Sequence, residues 1–243
     1  MYEVFDEIFK NNDVFNPVSL QTLIKVGKLA NLNSEKTMID LGCGKGWLAL
    51  FLAGSFGVHV EGYDIGEINV KYANERAKLL NLSSQAQFFC QDLKDFLPNK
   101  KYDVVTSLGI EAELYGGREA AFELFRNSLK DDGCVLYTEP VWTKRPVPAN
   151  VLEKLKTKEE SFLTIAETQQ LIQRVGYQEL AHFISTKEDW AVYLQGPIRN
   201  MQKIIETKSK FAEEVKIMLE GFKMEYEAAN NHWDVVMWVL KPV

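Results

Sequence analysis

Three alternating glycines are the residues whose type and spacing indicate chemistry most directly. Gly42, Gly44 and Gly46 follow Asp40, the acid near the end of a short apolar run, and a helical pattern begins directly after them. Glycine adopts positive φ at little cost, and its missing side chain lets a ligand lie against the backbone. The first turn of a helix also offers free N–H groups. The sequence therefore predicts a ligand-binding loop at this turn.

The order of the loop residues distinguishes between classes of ligand. The dinucleotide fingerprint G-x-G-x-x-G needs its third glycine at position 47, where this chain has Trp47. That glycine permits close packing of helix on strand, which a tryptophan would obstruct. No G-K-[ST] follows, which excludes the phosphate-binding loop of a nucleoside triphosphatase. Asp40 would repel a pyrophosphate and attract an ammonium or a sulfonium, so the pattern favours a cationic ligand.

Two further acids end the next two strand-like runs. Asp64 ends VHVEGYD, and Asp92 follows AQFFCQ. In doubly wound nucleotide sites, an acid about 20 residues past the glycine loop bonds the ribose hydroxyls. Asp92 has two interpretations, a turn or helix cap and a carboxylate that binds the exocyclic amine of an adenine. A ribose, an adenine and a positive charge without phosphate together describe S-adenosylmethionine.

These acids require a scaffold that brings strand ends together. Strand-like and helix-like segments alternate from about residue 37 to residue 180 with short connections. The alternation predicts an α/β fold with a doubly wound, mostly parallel sheet of seven strands. Such sheets bind ligands beyond the carboxyl ends of their strands, where all three acids fall.

Two segments lie outside this alternation. One precedes the first strand, and the other is a long helical pattern before the final run WDVVMWVLK. We expect both to act as a lid, because long additions to a compact fold are often functional. The predicted units are an N-terminal helical cap of residues 1–36, a core of residues 37–186 and 232–243, and a helical insert of residues 187–231.

Taken in order, the motifs resemble those of class I S-adenosylmethionine-dependent methyltransferases. MIDLGCGKGWLALFLA is similar to the family's first motif, and GYDIGE, QDL and YDVVTSLGIE are similar to its later motifs. FNPVS, TEPVW, EDWAVY and HWDVVMWVLK are similar to a largely uncharacterised microbial group of small-molecule methyltransferases. The resemblance implies a Rossmann-like methyltransferase fold, S-adenosylmethionine as methyl donor and S-adenosylhomocysteine as product.

The resemblance also implies which residues contact the cofactor. It places the methionine and ribose part against Gly42 and Gly44, with the amino end toward Asp40. The ribose hydroxyls would lie on Asp64, and the adenine beside Ile65, Asp92 and Leu93. The end of the fourth strand would face the methyl donor and the acceptor. The implied cofactor-binding residues are Asp40, Gly42, Cys43, Gly44, Asp64, Ile65, Asp92, Leu93, Ser107 and Leu108.

Methyl transfer from a sulfonium needs alignment and exclusion of water, and it needs a base only when the acceptor arrives protonated. Glu111 follows the fourth strand and Glu139 ends the fifth, so each is a candidate base or anchor for an acceptor amine. His232 has a pKa range suited to a base. Helix capping for the two acids and a structural role for the histidine are the alternatives.

Aromatic side chains are candidates for the acceptor site, because an aromatic face stabilises a cation by about 0.5–2 kcal/mol. Packing within the insert is the alternative interpretation for each of them. The candidates are Tyr115, Trp142, Trp190, Tyr193 and Trp233.

Composition argues against several other classes. The 243 residues carry a formal net charge of −6, without the clustered Lys and Arg of a nucleic-acid-binding protein. The three cysteines form no CxxC motif, which is typical of reduced thiols in the cytoplasm. No group of Cys, His and Asp has metal-ligand spacing, and no apolar run reaches the roughly 18 residues of a membrane span. We expect a cytoplasmic monomer or homodimer without a metal.

The main hypothesis is therefore an S-adenosylmethionine-dependent methyltransferase with a small-molecule acceptor. A non-catalytic module that keeps the S-adenosylmethionine or S-adenosylhomocysteine pocket is one alternative, because a pocket does not prove turnover. An NAD-dependent oxidoreductase is a weaker one, since the glycine at position 47 is missing. A nucleic-acid acceptor would need a basic face, which a net charge of −6 does not support.

Overall fold

A central sheet organises the chain in a computed structural model, which describes Val4 and residues 7–9, 16–110, 112–229 and 231–243. The strands alternate with helices as the sequence predicts. They are β1 (Thr37–Leu41), β2 (His59–Asp64), β3 (Ala86–Cys90), β4 (Tyr102–Ser107), β5 (Leu129–Trp142), β6 (Leu163–Thr164), β7 (Tyr177–Ile184) and β8 (Trp233–Pro242).

Helices connect these strands and form the long additions. The α-helices are α1 (Leu20–Leu29), α2 (Trp47–Phe56), α3 (Glu67–Leu79), α4 (Arg118–Ser128), α5 (Ala149–Leu155), α6 (Ile165–Arg174), α7 (Lys187–Glu206) and α8 (Ala212–Ala229). Three short 3₁₀ turns cover Leu93–Asp95, Ala112–Tyr115 and Glu159–Ser161.

The strand order is β3-β2-β1-β4-β5-β8-β7, with β6 paired to β5. β1 pairs in parallel with β2 and β4, β3 with β2, and β5 with β4. This confirms the α/β fold with a mostly parallel sheet. The sheet has one strand more than the seven predicted, the two-residue β6. The order reverses at β1, because β2 lies on one side of it and β4 on the other, and this reversal is where doubly wound sheets bind ligands.

The chain forms two compact units. The first, here called the sheet unit, comprises Ser19–Glu139, Gln169–Phe183 and Val236–Val243. The second, the helical unit, comprises Met1–Val18, Pro140–Thr168 and Ile184–Val235. The predicted cap, core, insert and lid function stay predictions.

The core of the sheet unit follows from continuous apolar runs. All six residues of β4 are buried, and Met38, Ile39 and Leu41 of β1 have no exposed surface. Parallel strands that are covered on both faces show such unbroken hydrophobic runs. Ser19 caps α1 by accepting a hydrogen bond from the Thr22 N–H at 3.2 Å.

The helical unit has a core of its own. Residues of α7 and α8 pack with Val4, Ile8 and Phe9 in one buried cluster. Thr186 and Asp189 form a reciprocal capping box at the start of α7, with hydrogen bonds of 2.8 and 3.1 Å. Within the described ranges, no helix has both the length and the apolar character needed to cross a membrane.

Candidate active site

The glycine loop lies between β1 and α2 with backbone angles that side chains disfavour. The φ angles of Gly42, Gly44 and Gly46 are 76°, 51° and 72°. The N–H groups of Gly42 and Cys43 both donate to the carbonyl of Tyr63, at 2.8 and 3.0 Å, and so fix the start of the loop to β2. A Cβ on Gly42 would overlap the side chain of Ile110. The loop conformation therefore depends on glycine for both its angles and its space.

Gly46 lets α2 begin close to its neighbours. A Cβ at Gly46 would lie 2.9 Å from Cβ of Ala73 and 2.8 Å from the ring of Phe88. The dinucleotide fingerprint has such close packing at position 47, but the structure has it one residue earlier. Trp47 instead stacks on Phe51, with ring centroids 6.2 Å apart. A tryptophan after the third glycine is therefore compatible with the turn.

Asp64 binds the glycine loop with both carboxylate oxygens. Oδ2 accepts from the N–H of Gly44 at 2.8 Å, and Oδ1 accepts from the N–H of Gly66 at 2.8 Å. Each carboxylate oxygen has a second lone pair that remains available to a ligand hydroxyl. The sequence predicted a ribose ligand here, and the structure shows that Asp64 also holds the loop in place.

Asp40 is a buried carboxylate beside the loop, with 3% of its surface exposed. Its neighbours across the sheet in register are Gly62 and Thr106. The Thr106 hydroxyl donates to Oδ1 of Asp40 at 2.6 Å. Burial raises the pKa of Asp40 to about 7, the Thr106 hydrogen bond opposes this rise, and the charge of Asp64 adds to it. Asp40 therefore changes its charge near neutral pH.

Cys43 and Lys45 occupy the positions between the glycines. Cys43 is 8% exposed, and burial raises the pKa of its thiol well above the usual value, with Asp40 and Asp64 adding to the rise. The thiol therefore stays protonated and unreactive. Lys45 is equally buried, and its Nζ lies 5.6 Å from the ring centroid of Tyr72.

The predicted adenine side is formed by the residues after β2 and β3. Asp92 caps the turn Leu93–Asp95, because its Oδ1 accepts from the Lys94 N–H at 2.9 Å. The capping interpretation of Asp92 is therefore observed for one oxygen, and its contact with adenine stays a prediction. Ile65 is 58% exposed, as expected of an apolar side chain that is available to a ligand.

The end of β4 is tied to two neighbours. The hydroxyls of Ser107 and Tyr115 share a hydrogen bond of 2.8 Å, and the N–H of Gly109 donates to Oγ1 of Thr138 at 2.8 Å. Ser107 is fully buried and Leu108 is 8% exposed. Tyr115 therefore belongs to the sheet unit, and burial raises the pKa of its hydroxyl above the usual value.

Glu139 lies within β5, three residues before the strand ends at Trp142, so the prediction that it ends the strand is wrong. It is 3% exposed, and the Nε–H of Arg118 donates to its Oε1. Its Oε2 is buried and has no hydrogen-bond partner in the part of the chain that the structure describes. Burial raises the pKa of Glu139, and the charge of Arg118 opposes the rise. Glu111, the other acidic candidate, falls outside the described residues.

His232, the third catalytic candidate, lies in the helical unit. Its backbone carbonyl accepts from the N–H and the hydroxyl of Thr143, at 2.8 and 3.0 Å. Its Nδ1 is buried without a hydrogen-bond partner among the described residues. The backbone of His232 thus has a structural function, and its role as a base stays a prediction.

Four of the five aromatic candidates come together in the helical unit. Trp190 packs edge-on against Trp233 at 5.5 Å and lies 6.0 Å from Tyr193. Phe162 stacks on Trp233 at 5.8 Å and meets Trp142 at 5.2 Å. We call these five rings the aromatic cluster.

Two of its tryptophans have the properties of core residues. Trp142 has no exposed surface and donates its Nε1–H to the carbonyl of Glu159 at 2.8 Å. Trp190 is 4% exposed and donates to Oδ1 of Asp234 at 2.8 Å. The packing interpretation accounts for these two side chains, and the contact of the aromatic candidates with an acceptor stays a prediction.

Sequence reasoning missed the residues that position the predicted acids. Thr106 could have been found, because parallel pairing of the two apolar runs sets it beside Asp40. Arg118 had no comparable signal, since it meets Glu139 only through the fold.

The chain is similar to known proteins in sequence and in fold. A family model described as a methyltransferase domain matches residues 32–195. The protein YjhP of Escherichia coli (strain K12), described as uncharacterized, is 26% identical over 209 residues, which are 85% of this chain and 84% of that protein. Phosphoethanolamine N-methyltransferase 1 of Arabidopsis thaliana is 24% identical over 214 residues, 86% of this chain but 42% of that protein.

A solved structure shares the fold. It is the crystal structure of a SAM-dependent methyltransferase from Geobacter sulfurreducens in complex with S-adenosyl-L-homocysteine, with a TM-score of 0.91 and 22% identity over 99% of this chain and 98% of that one. The family match spans the glycine loop, the three acids and every strand from β1 to β7. The resemblance drawn from the motifs is thereby confirmed, and the chain belongs to the methyltransferase domain family.

Proposed function

We propose that this methyltransferase transfers a methyl group from S-adenosylmethionine to a small-molecule acceptor. The observation that carries the proposal is the row of acids at adjacent strand ends, with Asp64 bonded to the glycine loop through the N–H of Gly44. Carboxylates at these positions accept hydrogen bonds from hydroxyls, an ammonium and an exocyclic amine. S-adenosylmethionine has all three groups and lacks the phosphate that these acids would repel.

Each part of the loop has a task in this proposal. The free lone pairs of Asp64 accept the ribose hydroxyls, and Asp40 attracts the amino end of the methionine part. Gly42 and Gly44 place no side chain of their own between the backbone and a ligand, although Ile110 packs against Gly42. The remaining proposed contacts are Cys43, Ile65, Asp92, Leu93, Ser107 and Leu108. When bound, the cofactor supplies an electrophilic methyl group for in-line displacement.

The acceptor side depends on positioning and exclusion of water. Glu111, Glu139 and His232 stay candidates for a base or an anchor, and Tyr115 with the aromatic cluster residues Trp142, Trp190, Tyr193 and Trp233 stay candidates for acceptor contact. The name of the Arabidopsis relative supports a small-molecule acceptor, since it refers to phosphoethanolamine. The net charge of −6 also disfavours a nucleic-acid acceptor.

Transfer of labelled methyl from S-adenosylmethionine into a cell extract tests the proposal. The extract is separated into an ultrafiltrate of small molecules and a macromolecular fraction, and the Asp64→Ala variant is the control. We expect label in the ultrafiltrate with the natural sequence and little with the variant. Label in macromolecules alone would contradict the small-molecule acceptor. Tight S-adenosylhomocysteine binding without transfer to either fraction would favour the non-catalytic module.

A further inference from the structure

A buried carboxylate in β5, three residues before the strand ends, has one oxygen that the described residues do not use. Oε1 of Glu139 accepts from Arg118, whereas Oε2 is buried without a hydrogen-bond partner within the described ranges. Buried polar atoms in native proteins are almost always hydrogen-bonded, so each exception needs an explanation. Glu139 is also 97% buried, since 3% of its surface is exposed. Oε2 of Glu139 therefore has an unused capacity to accept a hydrogen bond.

The register of the sheet places Glu139 near the same edge as the proposed methyl donor site. Ser107, the last residue of β4, is opposite Tyr137 of β5. Glu139 is two residues further along β5, which corresponds to roughly 6–7 Å beyond the level of Ser107. All these residues belong to the sheet unit. A small molecule bound at the end of β4 can therefore reach Glu139 with a substituent a few bonds long.

The charges around Glu139 favour a cation as the missing donor. Arg118 provides one positive charge, while Glu139 and the nearby Glu113 provide two negative ones. Tyr137, which also faces Arg118, is buried and neutral because burial raises its pKa well above the usual value. Among these described residues, negative charges therefore exceed positive charges by one when both carboxyls are ionised. An ammonium would supply a positive charge and an N–H donor together.

We propose that Oε2 of Glu139 accepts a hydrogen bond from an ammonium group of the methyl acceptor. The acceptor is then a small molecule with a cationic amine. Glu139 binds this amine, whether the methyl group is transferred to the amine itself or to another atom of the acceptor. Arg118 is a positioning residue, because it donates to Oε1 and so fixes the Glu139 carboxylate. This inference rests on the proposed function, which supplies the methyl donor at the same sheet edge.

A pair of matched fragments tests the ammonium contact. Ethanolamine hydrochloride and ethylene glycol differ in one group, an ammonium against a hydroxyl. Each is titrated by ligand-observed NMR into protein saturated with S-adenosylhomocysteine. We expect saturable binding of ethanolamine to the natural sequence, weaker by roughly tenfold or more in Glu139→Gln, because a hydrogen bond to a charged group is lost. Ethylene glycol should bind weakly and equally to both.

The control and the second variant keep the result interpretable. Glu123→Gln changes an exposed acid of α4 and should leave ethanolamine binding unchanged. If Glu139→Gln does not fold, Glu139→Asp keeps the charge but withdraws the carboxylate by one methylene, and it should also bind ethanolamine more weakly. Equal affinity for ethanolamine in the natural sequence and in the folded Glu139 variant would overturn the inference, as would the absence of saturable binding.

Calorimetry with S-adenosylhomocysteine on the same samples separates the two proposals. If S-adenosylhomocysteine binds but the affinity for ethanolamine does not depend on Glu139, only the ammonium contact is overturned. If S-adenosylhomocysteine itself does not bind, the proposed function fails and the inference fails with it.

Discussion

The sheet edge around Asp40 and Asp64 and the aromatic cluster of the helical unit use their chemically distinctive residues in different ways. At the sheet edge, polar side chains bond to the backbone and keep lone pairs available, as Asp64 does with Gly44 and Gly66. In the aromatic cluster, the polar atoms of Trp142 and Trp190 are already bonded to protein, and their rings are buried.

The difference shows when residue type is informative about function. A carboxylate at the end of a parallel strand reaches a ligand by the geometry of the fold alone. A tryptophan has a large apolar surface that serves a core and a binding site equally well. The first region therefore predicts losses of ligand affinity on substitution, and the second predicts losses of stability.

The largest expected effect is on stability in the aromatic cluster. Trp142→Ala should lower the free energy of unfolding by about 3–5 kcal/mol, because a fully buried ring leaves a cavity. Urea denaturation measures this change. Trp142→Phe keeps a ring beside Phe162 and should cost less. A loss below about 1 kcal/mol for Trp142→Ala would remove the distinction between the two regions.

The next effect is on cofactor affinity at the sheet edge. Asp64→Ala should weaken S-adenosylhomocysteine binding roughly 100-fold or more, since two ribose hydroxyls lose a charged acceptor. The variant should also lose some stability, because the N–H groups of Gly44 and Gly66 lose their partner. Calorimetry measures the affinity, with the exposed Asp95→Ala as control. Affinity close to that of the control would refute the ribose contact.

Asp40 predicts a pH dependence of binding. Its pKa of about 7 means that the carboxylate loses its charge as the pH falls through neutrality. If the charged form attracts the ammonium of S-adenosylmethionine, affinity at pH 6 should be about fivefold lower than at pH 7. The affinity of Asp40→Asn for S-adenosylmethionine should change little between pH 6 and pH 7. The same slope in this variant would assign the titration to another group.

The stability of the free protein should depend on pH in the opposite direction to the binding affinity. The pKa of Asp40 is raised from its ordinary value of 3.8, so the folded state retains a proton that the unfolded chain has lost. The contribution of Asp40 to the free energy of unfolding therefore falls as the pH rises from about 4 to about 7, and it is constant above. Urea denaturation of the natural sequence and Asp40→Asn across this range should show the difference.

The smallest expected effect concerns Tyr115, an aromatic candidate that belongs to the sheet unit. Tyr115→Phe removes the hydrogen bond to Ser107 and should lower the free energy of unfolding by about 0.5–1.5 kcal/mol. Tyr72→Phe, on a half-exposed ring, should change it by less than about 0.5 kcal/mol. Equal effects in thermal denaturation would indicate that the Ser107 hydrogen bond contributes nothing measurable.

Much of the fold could be predicted because its signals are local. The apolar runs fixed the positions of β1 to β4, and the acids followed from where those runs end. The insert was less predictable, since one continuous helical pattern over 187–231 is divided into α7 and α8 near Thr207. β5 is longer than its apolar core, because it continues through Pro140 to Trp142.

The candidate site was predictable only where one segment supplies it. Gly44 was identified by its motif and Asp64 by its spacing from the glycine loop, whereas Gly66, the second donor to Asp64, was missed. The contact of Thr106 with Asp40 joins residues 66 positions apart and depends on strand register, whereas the contact of Arg118 with Glu139 joins a helix to a strand across 21 positions. A local pattern carries no information on such pairs.

Calorimetric titration of the free protein with S-adenosylhomocysteine and, in parallel, with NAD tests the central claim most directly. The acids at the ends of β1, β2 and β3 predict that S-adenosylhomocysteine binds with one-to-one stoichiometry and that NAD, with its pyrophosphate, does not. Binding of NAD without S-adenosylhomocysteine, or of neither ligand, would contradict the assignment of this sheet edge as the methyl donor site.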